Sequence, residues 1–208
     1  MHTQAAQSLL REIALQDHDK QAVDEQAADS LAVARLTILA QLAAALGAAT
    51  SHARMWQASD LALQQLYGHR LYTILAFDTK AGLLQRLHSS RPDINPVGGV
   101  KRVTQSAWVD RVLLTGTGYL GSTPADLASV FSDHALLTSH GLGSVLNVPV
   151  RNRGTVVGSL NLLDGPAHYD GADPAAANVV AQLLSAALTE AASTLDGALP
   201  PGVTLETV

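Results

Sequence analysis

His134 stands in Phe131-Ser132-Asp133-His134 and is the side chain best suited to proton transfer or to a ligand hydrogen bond. Imidazole titrates near neutral pH without special tuning. Ser132 or Asp133 could instead cap a short helix and leave His134 on its first turn. Asp133 is no natural partner for the ring, because adjacent helical residues do not face each other. A second group is formed by Ser89, Ser90 and Lys101, which flank a loop holding Gly98-Gly99. Backbone N–H groups and a lysine there could receive a carboxylate or phosphate. The glycines lack the spacing of a phosphate-binding loop, so a plain surface loop is the competing reading. His88, Asn147 and Asn161 fall in apolar stretches with strand character, where buried polar groups need partners. They would bond either a ligand or the backbone. Tyr72, Trp108 and Tyr119 are the aromatics placed to wall a cavity or to fill the core.

Other chemistries have no support. The chain contains no cysteine, which removes thiolate nucleophiles, disulfides and thiolate metal sites together. HExxH and tandem-histidine patterns are missing, and His134 and His140 do not make a metal pair, so no metal and no cofactor are expected. Neither a Gly-x-Ser-x-Gly elbow nor a matched carboxylate pair occurs.

These residues must be positioned by regular elements. Apolar residues at helical spacing predict a helix over residues 4–16, a polar break at residues 16–20, and a second helix over residues 23–46 with a stripe of Leu31, Ala34, Ile38, Leu42 and Ala45. A third helix is expected over residues 59–67 before Gly68. His52, Arg54 and Trp56 would join the second helix to the third. Residues 71–77 and 83–90 read as a hairpin turning at Asp78–Gly82, with Leu84, Arg86 and His88 on one face. Residues 91–101, with two prolines, read as a loop. Residues 106–114, 124–130 and 133–139 read as short helices and 117–120 as a short strand. The clearest element is the hairpin of residues 143–150 and 155–163. Strict alternation groups Val145, Asn147 and Pro149 on one face, and Val157, Ser159, Asn161 and Leu163 on one face of the return strand, which aims both asparagines at a common pocket. A closing helix spans residues 173–195, with Val179, Leu183, Ala186 and Ala187 on one face. A loose tail follows from residue 197.

The chain is 208 residues long, 47% hydrophobic and 15% charged, enough for one buried core with an appendage. The formal net charge is −5 and the thirteen basic residues are scattered, which argues against nucleic acid as a partner. The N-terminus lacks the pattern of a signal peptide. The apolar stretch 31–49 is interrupted by Arg35, Thr37 and Gln41. No membrane association and a cytoplasmic location are therefore expected.

GSVLNVPVRNRGTVVGSLNLLD at residues 143–164 and LYTILAFD at residues 71–78 resemble the central strands of a GAF domain, over roughly residues 50–192. SSRPDINPVGGVK and Phe131–His134 resemble stand-alone bacterial GAF proteins. The resemblance implies an α+β fold, a central antiparallel sheet with helices on one face and a ligand pocket under loops and short helices on the other. It gives an N-terminal helical extension at residues 1–50, the domain at 51–195 and a flexible tail at 196–208. The family's ligands include cyclic nucleotides, tetrapyrroles and small acids, and one branch reduces methionine sulfoxide with cysteines, which this chain lacks. The expected role is a small-molecule sensor, non-catalytic and homodimeric through its terminal helices. Its ligand would be a small organic molecule, anionic if the 89–101 loop receives it. Tyr72, His88, Ser90, Lys101, Trp108, Tyr119, His134, Asn147 and Asn161 would contact it. The alternative is a cofactor-independent hydrolase or isomerase with His134 as its acid or base.

Overall fold

The computed structural model describes the backbone of residues 2–193 and 206–207 and the side chains of residue 20 and residues 23–193. The expected tail at 196–208 lies outside the described residues, apart from 206–207.

One helix, α1 (His2–Ala48), replaces the two expected at the N-terminus. Residues 16–20 are polar but include no glycine or proline, and polarity alone does not interrupt a helix. The next helix, α2 (His52–Tyr67), begins a full seven residues earlier than the spacing of leucines suggested, because Ser51 is an extended N-cap whose Oγ accepts from the Arg54 N–H.

The first hairpin pairs β1 (Leu71–Asp78) with β2 (Leu83–Ser89). Its turn is held by Asp78, whose Oδ1 accepts from the Lys80 and Ala81 N–H groups. Val100 and Lys101, expected at the end of a loop, belong instead to a strand, β3 (Val100–Arg102), on the far side of β2. It is too short to show a period. After a π-helical turn at Val109–Leu114 come β4 (Tyr119–Gly121), α3 (Pro124–Val130) and α4 (His134–Ser139). The second hairpin, β5 (Ser144–Asn152) and β6 (Thr155–Asp164), turns through Arg153 and Gly154, both at positive φ (50° and 85°) as a two-residue turn matched to strand twist requires. The helix α5 (Ala175–Ser193) closes the fold, and β7 (Glu206–Thr207) adds a short parallel pairing to β3.

The sheet order is β4-β5-β6-β1-β2-β3-β7, antiparallel except for its last pair. The chain therefore has the α+β architecture read from its sequence. One face, with Tyr72, Ile74, Leu146, Val148, Leu160 and Leu162, packs on α2 and α5. The other, with Leu75, Phe77, Leu84, Val145, Leu163 and the roof residues Trp108, Val112, Leu127 and Leu137, packs under the segment 91–142. Covering on both faces explains why β1 is buried without a break from Leu71 to Phe77. The buried face of α5 is Ala177, Val180, Ala181, Leu184 and Leu188. Val179 and Leu183, expected together on one apolar stripe, are 45% and 39% exposed, because an alanine-rich helix offers two apolar faces and only packing chooses between them. Gly158 lies where β6 passes under α5; a Cβ there would collide with the Leu75 carbonyl oxygen and sit 2.6 Å from Leu188 Cδ2.

Two β-bulges set which side chains reach which face. A register shift opposite Ile74/Leu75 pairs Ile74 with His88 and Leu75 with Arg86, leaving Leu87 extra. A second, at Val150/Arg151, pairs Val150 with Gly158 and Arg151 with Val156, leaving Val157 extra. Past the bulge, Val156 joins the roof-side cluster and Val157 the helix side, reversing the alternation expected for that end of β6.

The first bulge sends His88 to the helix side, where it ties α2 to the sheet. His88 Nε2 donates to Asp60 Oδ2 at 2.8 Å, and His69 Nε2 lies 3.2 Å from Asp60 Oδ1. The Tyr72 ring sits between the two imidazoles, 5.5 and 5.6 Å from their centroids. Burial raises the Asp60 carboxyl, but the hydrogen bonds from His69 and His88 and their charges outweigh it, and the group falls from 3.8 to about 2. A carboxyl depressed in the fold contributes stability that is complete above about pH 4 and is lost as pH falls through the folded value. Asp60→Asn should therefore lower the urea midpoint at pH 6, and the gap to the natural chain should close as pH approaches 2. Parallel midpoints across that range would refute the assignment.

Candidate functional site

The centre of the roofed face carries a row of polar side chains in register across three strands. Asn147 on β5 is opposite Asn161 on β6, which is opposite Thr73 on β1. The Trp108 Nε1–H donates to Asn147 Oδ1 at 2.9 Å. Asn147 Nδ2 donates to Asn161 Oδ1 at 2.7 Å, and Asn161 Nδ2 reaches Thr73 Oγ1 at 3.3 Å. An indole nitrogen can only donate, so its choice of Oδ1 fixes the orientation of both amides. All four residues are at most 4% exposed, which makes each bond costly to leave unmade.

Above this row lies a cavity of about 40 Å³. Thr73, Leu75, Asn161 and Leu163 form its floor, Trp108, Phe131 and Leu137 its apolar walls, and Arg86, Asn95, Lys101 and Asp133 its polar rim. Space of that size holds roughly three waters or a handful of ligand atoms. Arg86 and Lys101 are only 6% and 7% exposed. Arg86 reaches this face because it precedes the bulge, and its Nη1 donates to the Pro96 carbonyl at 3.1 Å. Lys101 reaches it because its β3 register places it opposite Leu84. Its Nζ lies 3.4 Å from Asp133 Oδ2. Asp133 precedes α4 at the N-cap position, yet its side chain makes no cap bond and lines the cavity instead.

The residues singled out from sequence divide accordingly. Lys101, Trp108 and Asn161 line this cavity, and Asn147 supports it from below. Tyr72 and His88 do not: both lie on the helix side, which corrects the expectation that they share the roofed face. Tyr72 is wholly buried with its hydroxyl 3.2 Å from Ser59 Oγ, and burial pushes that hydroxyl far up. Ser90 Oγ accepts from the Tyr72 N–H and Ser89 Oγ from the Arg91 N–H, so both serines are engaged in closing the strand ends. The Gly98 N–H donates to the Arg86 carbonyl and is not offered to an anion, another correction. His134 holds the Phe131 carbonyl through Nδ1 at 3.0 Å and is absent from the cavity lining. Tyr119 borders a separate, larger hollow of about 300 Å³ with Arg111 and Asn178 at the β4–β5 edge. There the Arg111 Nε is taken by the Gly118 carbonyl, and Thr117 and Asn147 also line the hollow. His52 stacks on Trp56 and meets Glu190 of α5 at 3.4 Å, so this pair joins helices within the chain. Among the described residues no histidine and carboxylate cluster could hold a metal ion.

Among the polar lining residues, Thr73, Arg86, Asn95 and Asp133 were not among the candidates named from sequence. Arg86 had a visible signal, a charged residue within an apolar hairpin, but the alternation coupled it to His88. Only the bulge separates them.

A model of the GAF domain family matches residues 25–188. The chain belongs to the GAF family. The GAF domain is a small-molecule-binding, sensory and regulatory fold. No curated protein matches the chain in sequence. Among solved structures, the GAF domain of a phosphoenolpyruvate-protein phosphotransferase from Coxiella burnetii superposes with a TM-score of 0.65 at 16% identity, covering 77% of this chain and 95% of that one. The corresponding Acinetobacter domain gives 0.61 at 16% identity, with 77% and 96% covered. The GAF domain of a two-component sensor histidine kinase from Bacillus halodurans gives 0.55 at 16% identity, with 70% and 99% covered. At such identities the likeness concerns the fold. The family match starts within α1, inside the segment expected to be a separate extension.

The relay beneath the cavity makes its own energetic prediction. Trp108→Phe and Asn147→Leu should each cost about 1–3 kcal/mol, since each strands a buried partner. The double variant should fall short of their sum by at least about 0.5 kcal/mol. Urea denaturation of the four proteins checks this, and strict additivity would contradict the relay.

Proposed function

We propose that this GAF protein is a cytoplasmic sensor, dimeric through its terminal helices, whose ligand is a small organic molecule bearing a carboxylate, held in the cavity between the sheet and the 91–139 roof. The observation that carries the ligand reading is the pair of buried cations, Arg86 and Lys101, lining one small cavity with Trp108 and Asn161. In a site shielded from water such charges favour an anion far more than they would at the surface. Asn95, Thr73 and Asn161 supply hydrogen bonds that fix its orientation, and Leu75, Phe131 and Leu137 accept an apolar end.

The dimer reading rests on apolar surface. On α1, Val23, Leu31, Val33 and Leu36 are 54–68% exposed, and Leu61 of α2 and Val179 of α5 add to them. Val23–Ala48 and Ala175–Ser193 are also long and apolar enough to cross a membrane, which the sequence expectation for residues 31–49 did not foresee. Half-burial of α5 in the core argues for a helical bundle between two copies.

Two measurements test these readings. Calorimetric titration with carboxylates of about three to six non-hydrogen atoms, amino acids included, should give saturable binding, weakened at least about tenfold, or about 1.4 kcal/mol, by Lys101→Met. Binding by no member of the set would overturn the site. Light scattering in detergent-free buffer should give the mass of two chains, and a monomer at micromolar concentration would overturn the dimer.

A further inference from the structure

Asp133 pairs with Lys101 through one carboxylate oxygen, and no structural task accounts for the other. The residue occupies the N-cap position of α4, where an aspartate ordinarily accepts from the first free N–H groups, and makes no such bond. Its Oδ1 is out of contact with water and accepts no hydrogen bond. Its Oδ2 meets Lys101 Nζ only at 3.4 Å. A buried carboxylate oxygen without a donor is expensive, and natural structures rarely leave one unless something else supplies the donor. Asp133 lines the same cavity as Arg86 and Lys101.

This cavity thus presents positive and negative poles side by side in a space of about 40 Å³. A plain carboxylate would answer Arg86 and Lys101 but leave Asp133 Oδ1 without a donor and bring a like charge beside it, which disfavours both. A plain amine would answer Asp133 and be repelled by the two cations. A molecule with both charges on neighbouring atoms answers all three groups. We propose that the cavity takes a small zwitterion, a free α-amino acid of about two or three carbons by the room available. Its carboxylate lies at Arg86 and Lys101 and its ammonium at Asp133. The apolar contacts of Phe131 and Leu137 then meet the short side chain. This inference rests on the ligand site proposed above and adds to it the sign and spacing of the ligand's charges.

The test is isothermal titration of the full chain at pH 7 with glycine and L-alanine against acetate and propionate. The amino acids should bind at least about tenfold more tightly than the acids of matching carbon skeleton, a difference of about 1.4 kcal/mol. Asp133→Asn should weaken the amino acids by a similar factor and leave acetate unchanged or tighter. Acetate binding as tightly as glycine to the natural chain would overturn the zwitterion while leaving an anion site standing. That comparison needs no variant to fold. Amino-acid binding unaffected by Asp133→Asn would also overturn it. If none of the four compounds binds, the zwitterion falls; the site falls with it when the wider carboxylate set fails too.

Discussion

A hydrogen-bond relay runs sideways through the middle of the sheet, from the Trp108 indole to Asn147, to Asn161 and to Thr73. Its direction is set at one end, because the indole has a proton to give and nothing with which to accept. Each amide downstream must then turn its oxygen toward Trp108 and its nitrogen away. The consequence reaches beyond local satisfaction. Trp108 immediately precedes the π-helical turn, so anchoring its ring over β5 positions the start of the roof relative to the floor. A cavity exists between them because the polar row holds the roof by a directed bond where close apolar packing would have filled the space.

The polar rim is decided by strand irregularities as much as by strands. One extra residue at Leu87 separates Arg86 from His88, and two side chains that alternation would place together end on opposite faces. Arg86 enters the cavity. His88 joins Asp60 and His69 to hold α2 against the back of the sheet. The same hairpin thus builds the roofed face and secures the helical face, with the bulge as the divide.

Charge in the cavity is balanced by position and not by number alone. Arg86 and Lys101 come from adjacent strands, while Asp133 comes from the far end of the roof, where it forgoes capping α4. Groups so distant in sequence meet only if the 91–142 segment folds back over the sheet. His134, its neighbour, turns to the Phe131 carbonyl, so the residue most suggestive of chemistry serves the roof's own structure.

The two hairpins, the α+β class and the placing of Asn147 and Asn161 on one face follow from local signals: strand-rich runs, glycine turns, period-two alternation and the recognisable central hairpin. These are properties of neighbouring residues and are written in the chain itself. The α2 start at His52, the strand at Val100–Arg102, the buried face of α5 and the membership of the cavity rim were decided only by tertiary structure. The physical reason is common to all four. A cap on a single serine, a three-residue strand, an all-apolar alanine helix and a bulge each leave too little periodic signal, and each is settled by what packs against it.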